Sequence, residues 1–324
     1  MRAPILALLL VLLVALSLTV GEVSIGLADL WQGLWGGDGP GALTVRVLRA
    51  PRVAVAAGAG AVLGLSGAVF QMLFRNPLAA PDIMGFTSGA GLAILASVAL
   101  GLALPLPLVA TAGGLAAAVL VALLSHRPGH PTPAITLVLV GLGVGFTASA
   151  LGSFLMTRLP SSGAMEAQRW LSGSLAARDW SHALQVWAIG AALALALALQ
   201  VRALDLLELG RDLAAGLGLR VERARWMLAA TAVGLAAAGV AVAGPVPFVA
   251  LMAAPLGARL VGARAPGARL VAAAGAGACV MLAADLAARA AIPGLQLPVG
   301  VMTGALGAPY LLWRLSREIE RGEL

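Results

Sequence analysis

Between Arg52 and Arg75 the chain runs for 22 residues without a charge. At 1.5 Å per residue, that is about the length needed to cross the roughly 30 Å hydrocarbon core of a bilayer. Gly58, Gly60, Gly64, Ser66 and Gly67 remove bulk along the stretch, which suits close helix packing in lipid better than in water. Three arginines precede it, Arg46, Arg49 and Arg52, at a three-residue spacing that points them roughly one way on a helix or tight turn. The pattern recurs along the chain: 60% of residues are hydrophobic and 11% charged, where a soluble domain is about one quarter charged. An all-α polytopic membrane protein follows.

Ten apolar runs are expected to span, at 4–20, 53–74, 83–104, 106–124, 134–156, 183–201, 226–242, 248–261, 270–291 and 299–315. The first is followed by TVGEVS, which lacks a small-residue cleavage pattern, and so reads as a retained helix. Trp31 and Trp35, in the connection after it, suit an interface. Every one of the 21 basic residues is arginine. With the N-terminus inside, fourteen fall on inner connections and tails and seven on outer ones, which supports an N-in, C-in orientation. The outer seven, including Arg46, Arg49, Arg52 and Arg289, then require a reason to be there.

Several chemistries are excluded. The chain has no lysine, so it has no Walker A loop to hold a nucleotide, and no HExxH, paired CxxC, GxSxG or EF-hand pattern occurs. His126 and His130 have a metal-ligand spacing, but Pro128 and Gly129 break the helical face that would join them, so no metal site is expected. Cys279 lies in an apolar run and reads as packing. The net charge of +7 is spread between apolar runs rather than in one stripe, which argues against nucleic acid and for membrane lipid. Asp285 and Arg289 are four apart, a spacing that permits an ion pair. No chain of intramembrane acids or histidines suggests a proton relay. The longest charged connection, 202–225, holds five arginines and four acids among leucines, broken by Gly210, Gly216 and Gly218. Such a segment needs a partner surface or a headgroup layer.

Seven stretches, in order, carry a family resemblance over nearly the whole chain: LRAPR, GLSGAVFQMLFRNPLAAPDIMGFTSGA, WLSGSLAARDW, LLELGRDLAAGLGLRVERAR, AGPVPFVALMAAPLGARLVG, AADLAARA and LPVGVMTGALGAPYLLWRL. With them the chain resembles the permeases that import iron-siderophore complexes, haem and vitamin B12 through ABC transporters. NPLAAPDIMGFTSGA and WLSGSL most resemble the ferric-siderophore branch. The resemblance departs at Ala254, Pro255, Leu256, Gly257, Ala258 and Arg259, where the family usually has a polar residue after the proline.

The resemblance implies a single ten-helix permease domain over 1–324, of the type II importer kind, in the bacterial inner membrane. Its partners would be a second permease subunit, two cytoplasmic ATPase subunits and a periplasmic or lipid-anchored binding protein. ATP and magnesium would sit on the ATPase, with no cofactor on this chain. Arg49, Arg52 and Arg289 match positions that dock the binding protein. Leu209, Gly210, Arg211, Asp212, Ala214, Ala215, Leu217 and Gly218 match the coupling segment. Asn76, Pro77, Pro81, Gly85, Ser88 and Gly89, in the proline-broken re-entry after the second run, are pathway candidates. An inner gate is expected near residues 132–135. A secondary transporter or channel working without ATP, and a scaffold without transport, are the readings from other classes.

Overall fold

In a computed structural model of the chain, residues 3–21, 26–35, 39–126, 133–292 and 295–320 are described. The His130 and Thr132 expectations lie outside them. The described residues form helices and no strand. In chain order these are α1 (Ala3–Thr19), α2 (Leu27–Trp35), α3 (Pro40–Leu43), α4 (Ala50–Phe74), α5 (Phe86–Ala99), α6 (Leu106–Ser125) and α7 (Ala134–Met156). They continue as α8 (Ser161–Leu171), α9 (Trp180–Glu208), α10 (Arg211–Gly216), α11 (Val221–Ala243), α12 (Val249–Val261), α13 (Pro266–Ala290) and α14 (Val299–Glu320). Each of the ten apolar runs coincides with one of the longer helices. Among the described residues six helical stretches are long and apolar enough to cross a membrane: 40–74, 106–125, 135–156, 180–208, 221–243 and 266–290.

Several boundaries moved for local reasons. The third run is helical over fewer residues than expected. Pro81–Met84 is a single 3-10 turn, Gly85 sits at φ 65°, and Gly101 ends the far side at φ 62°. Both glycine angles are left-handed, a region that costs a residue with a Cβ. The sixth run is longer than expected, because helix continues past Arg202 to Glu208. Asp179 starts that helix: its Oδ1 accepts from Ser181 N at 2.9 Å and His182 N at 3.2 Å, and His182 closes a capping box. Hydrogen bonds from the Ser181 hydroxyl first and then the His182 ring, with the His182 backbone amide behind them, hold the Asp179 carboxyl well below the usual carboxylate range.

The core is built around α4. In its most apolar window 78% of residues are buried, against 17% for α9 at the periphery. α4 packs against α9, α11, α12 and α13, while α5, α6 and α7 pack together beside it. Small residues make this possible. A Cβ on Gly60 would collide with the Gly277 carbonyl of α13, one on Gly64 with the Ala273 carbonyl, and one on Gly67 with the Ala250 carbonyl of α12. Ser66 Oγ donates to the Ala232 carbonyl of α11 at 2.7 Å. Water does not drive helices together in lipid, so this close approach supplies the packing energy. Gly67→Val is therefore expected to cost at least the about 1–3 kcal/mol of an overpacked core, because the obstacle is backbone. Gly143→Ala, inside α7 where a Cβ meets open space, is expected to hold or slightly raise the thermal midpoint in detergent.

Candidate functional site

The two ends of the bundle carry different chemistry. At one end, Asp285 of α13 is fully buried and joins two arginines. Its Oδ1 accepts from Arg52 Nε at 2.9 Å with Arg52 Nη2 also at 2.9 Å, and its Oδ2 lies 3.1 Å from Arg289 Nε. The same end holds the C-terminus of α1, whose last turn has no basic residue of its own. Arg49 Nη1 donates to the carbonyls of Leu18 at 2.9 Å and Thr19 at 2.7 Å. Arg289 Nη1 reaches those of Ser17 at 3.3 Å and Val20 at 3.2 Å. Helix C-termini leave carbonyls without intrahelical partners and carry partial negative charge, so two guanidiniums from distant elements cap α1.

This arrangement corrects one expectation: Arg46, Arg49 and Arg52 do not point one way. Thr44–Arg49 is π-helical, with i→i+5 bonding that turns less per residue than an α-helix. Arg46 is exposed, Arg49 is 7% exposed and Arg52 binds Asp285. The three residues expected to dock a partner, Arg49, Arg52 and Arg289, thus do converge, but on Asp285 and on the end of α1. The Asp285–Arg289 pair allowed by spacing exists, and Arg52 completes a triad that local spacing could not reveal.

At the opposite end, α9 gives way to α10 through Gly210, at φ 109°, and α10 to α11 through Gly218, at φ 86°. Leu209, Leu213 and Leu217 are all more than half exposed. Arg211 and Asp212 are exposed beside them, and Arg211 Nη2 lies 3.3 Å from Glu222 Oε1. Ala215 and Gly218 are exposed and Gly210 half-buried, whereas Ala214 is fully buried and anchors the short helix. Ala214, which the resemblance matches to the coupling segment, is thus turned inward in the chain alone, whereas Leu213, absent from that assignment, is exposed beside Leu209 and Leu217.

Two larger cavities among the described residues carry charged side chains in their lining. One of about 710 Å³ is bounded by α4, the Pro81–Met84 turn, α8, α11, the 245–248 connection and α14. Its polar lining comprises Asp82, Thr87, Gln168 and Ser172, with Thr87 Oγ1 donating to Asp82. Three separate sequence stretches close on one another there. Ser174 N donates to the Ala243 carbonyl at 2.8 Å. A Cβ on Gly173 would strike the Pro245 carbonyl, and one on Gly300 the Ser172 carbonyl. A cleft of about 600 Å³ nearer the α10 end is lined by Gln71, Arg75, Asn76, Pro77, Glu208, Arg269 and Arg314, among others.

The six pathway candidates divide accordingly. Pro81 lines the larger cavity, and Asn76 and Pro77 line the cleft. Gly85 packs on α7 near Gly141 and Gly145, and Gly89 packs on α6 against Gly113. Ser88 Oγ accepts from Ser149 Oγ of α7 at 3.3 Å. Asp82, the charged residue of the larger cavity, was not among the candidates.

Residues 9–317 match the model of the FecCD transport family. The chain belongs to this family. It is 39% identical over 302 residues to the ferric enterobactin transport system permease protein FepG of Escherichia coli (strain K12), covering 92% of this chain and 90% of that one. To the vitamin B12 import system permease protein BtuC of Serratia proteamaculans (strain 568) it is 37% identical over 305 residues, covering 92% and 89%. A solved metal-chelate type ABC transporter in an inward-facing conformation superposes with a TM-score of 0.85 at 29% identity, covering 96% of this chain and 97% of that one. This FecCD chain is a multi-pass permease of the inner membrane. Cys279 of the FecCD chain is buried, beside Leu6 and Ala276, as a packing residue. Among its described residues no group of histidine, cysteine and acidic side chains could hold a metal ion.

Proposed function

We infer that the chain is the membrane-spanning subunit of an ATP-driven importer of a ferric chelate. The observation that carries the reading is the leucine face at 209–217. A permease with no nucleotide site of its own needs a surface through which another chain's ATP hydrolysis moves it. Exposed leucines next to Arg211 and Asp212, on a short helix hinged by Gly210 and Gly218, supply that surface. The relatives' cargoes, ferric enterobactin and vitamin B12, favour a bulky chelate, with ferric siderophore first and haem or cobalamin as alternatives. The wide cavity, lined by few charges, suits a cargo that must not be gripped tightly.

In this reading the ten long helices span with both termini inside, over one domain of 1–324, and the chain pairs with a second permease subunit. Two ATPases carrying ATP and magnesium lie at the α10 end. A periplasmic or lipid-anchored binding protein docks at the arginine end. Its acids would meet Arg49, Arg52 and Arg289 only by competing with Asp285 and the α1 carbonyls, so docking would loosen the contact between α1, α4 and α13. Asn76, Pro77, Pro81 and Asp82 would border the path, while Gly85, Ser88 and Gly89 would hold the helices beside it. Reconstitution with ATPase and binding protein in liposomes tests this. Labelled ferric chelate is expected to enter with ATP and not without it, and faster than haem or cobalamin. Uptake that persists without ATP would identify a secondary transporter instead.

A further inference from the structure

Pro255 lies inside α12 and has no N–H to give the Leu251 carbonyl, four residues earlier. A donor arrives from α4 instead: Gln71 Nε2 donates to that carbonyl at 2.9 Å, from 180 residues away in the sequence. Gln71 is only 7% exposed, and a buried carbonyl left unpaired is costly. The contact therefore ties α4 to α12 at the place where a proline-broken helix bends most readily. Leu251 borders the larger cavity. Four residues beyond Gln71, α4 grips a second helix. Arg75, its C-cap residue, holds a left-handed φ of 51°, a conformation that costs a residue with a Cβ. Its Nη2 donates to the last two carbonyls of α9, Leu207 at 2.6 Å and Glu208 at 3.2 Å. Leu209, the first of the exposed leucines, follows directly. The end of α4 thus holds both the helix that leads into the leucine face and the α12 carbonyl beside the cavity.

We propose that Gln71 and Arg75 are positioning residues that carry movement of the leucine face to the wall of the larger cavity. The end of α4 is the link, and the Pro255 break in α12 is the hinge. The inference rests on the importer reading, in which an ATPase acts on the leucine face. Hydrogen bonds between rigid helices carry a displacement of this kind from one site to another. A shift at the end of α9 draws on Arg75, and Gln71, one turn earlier, moves the Leu251 carbonyl with it. Both side chains act through bonds they already make, so the linkage needs no free charge.

The test uses the full chain with its ATPase in liposomes, carrying Leu251→Cys in a Cys279→Ala background. The rate at which N-ethylmaleimide labels the new thiol reports how the cavity wall responds to ATP. ATP is expected to change that rate while Gln71 and Arg75 are intact, and Gln71→Met or Arg75→Gly is expected to abolish the change. Gln71→Met should also lower the thermal midpoint by about 2–4 °C, for one hydrogen bond to a buried group in a chain of this size. Arg75→Gly relieves the left-handed backbone, and Arg269 Nη1, 2.6 Å from Glu208 Oε1, still holds α9 to α13, so this variant stays folded. Adding Pro255→Ala to Gln71→Met gives α12 its own donor and recovers the midpoint, while the ATP response stays lost because α4 and α12 remain unjoined. A response that returns with the midpoint would reduce Gln71 to a structural contact and overturn the proposal. So would a response that survives either single variant, or one lost only because the ATPase no longer associates. Absence of any response with both residues intact overturns the linkage too. ATP-driven uptake of labelled ferric chelate by the same complex with its binding protein would then leave the importer reading standing.

Discussion

Asp285→Asn is expected to lower the stability of the permease by about 3–5 kcal/mol, the cost of removing one partner from a buried ion pair. Asp285 is fully buried, and its two partners are nearly so, with side-chain exposures of 14% for Arg52 and 8% for Arg289. Asparagine keeps the shape but not the charge, so two guanidiniums remain in a poorly solvated site with one neutral acceptor between them. The loss should appear as a fall in thermal midpoint of about 4–7 °C, given the entropy of unfolding of a chain this large. Arg52→Gln added to Asp285→Asn is expected to recover part of it, because one stranded charge goes. Recovery stays partial, since Arg289 still reaches the Ser17 and Val20 carbonyls of α1. An unchanged midpoint in the single variant would show that the triad does not hold α1, α4 and α13 together.

Leu213→Glu with Leu217→Glu is expected to leave the fold intact and abolish coupled ATP hydrolysis. Both side chains are more than 60% exposed in the chain alone, and surface substitutions of that kind usually change stability by within about 0.5 kcal/mol. Against an ATPase each leucine would bury apolar area worth about 1.5–3 kcal/mol. Losing both, and placing two carboxylates there instead, should weaken association by about a hundredfold or more. The measurement is permease-stimulated ATPase activity beside the thermal midpoint of the permease alone. Ala214→Glu gives the contrast: its side chain is fully buried under the leucine face, so this variant should lose stability and coupling together. Full stimulation in the double leucine variant would place the ATPase elsewhere on the chain.

The two variants probe features of very different legibility. Leu213 and Leu217 lie within one charged connection, and the glycines that end α9 and release α10 are visible there. What the connection could not show is which small residue turns inward, because the burial of Ala214 depends on the helices behind it. The triad was half visible. Asp285 and Arg289 sit one helical turn apart, but Arg52 is 233 residues from its carboxylate, and no local pattern joins them. Arg49 departs from the shared direction expected of Arg46, Arg49 and Arg52 for a related reason: the π-helical stretch at 44–49 turns it in to cap α1. The larger cavity was hidden in the same way, its wall assembled from distant stretches that include Ser172, Pro245, Val246, Pro247 and Gly300.

By itself the sequence determined the membrane class and the ten helix-forming apolar runs, along with the leucine-rich connection where another chain could act. These follow from charge-free length and from glycine and proline positions, all of which act over a few turns of chain. The tertiary structure decided which charges meet, which helix end they cap, and where the cavity and the arginine-lined cleft open. In lipid, helices gain little by hiding apolar surface from one another, so close contact of small residues selects the neighbours. Gly60 against Gly277 and Gly67 against Ala250 are such contacts, made between residues that lie far apart along the chain.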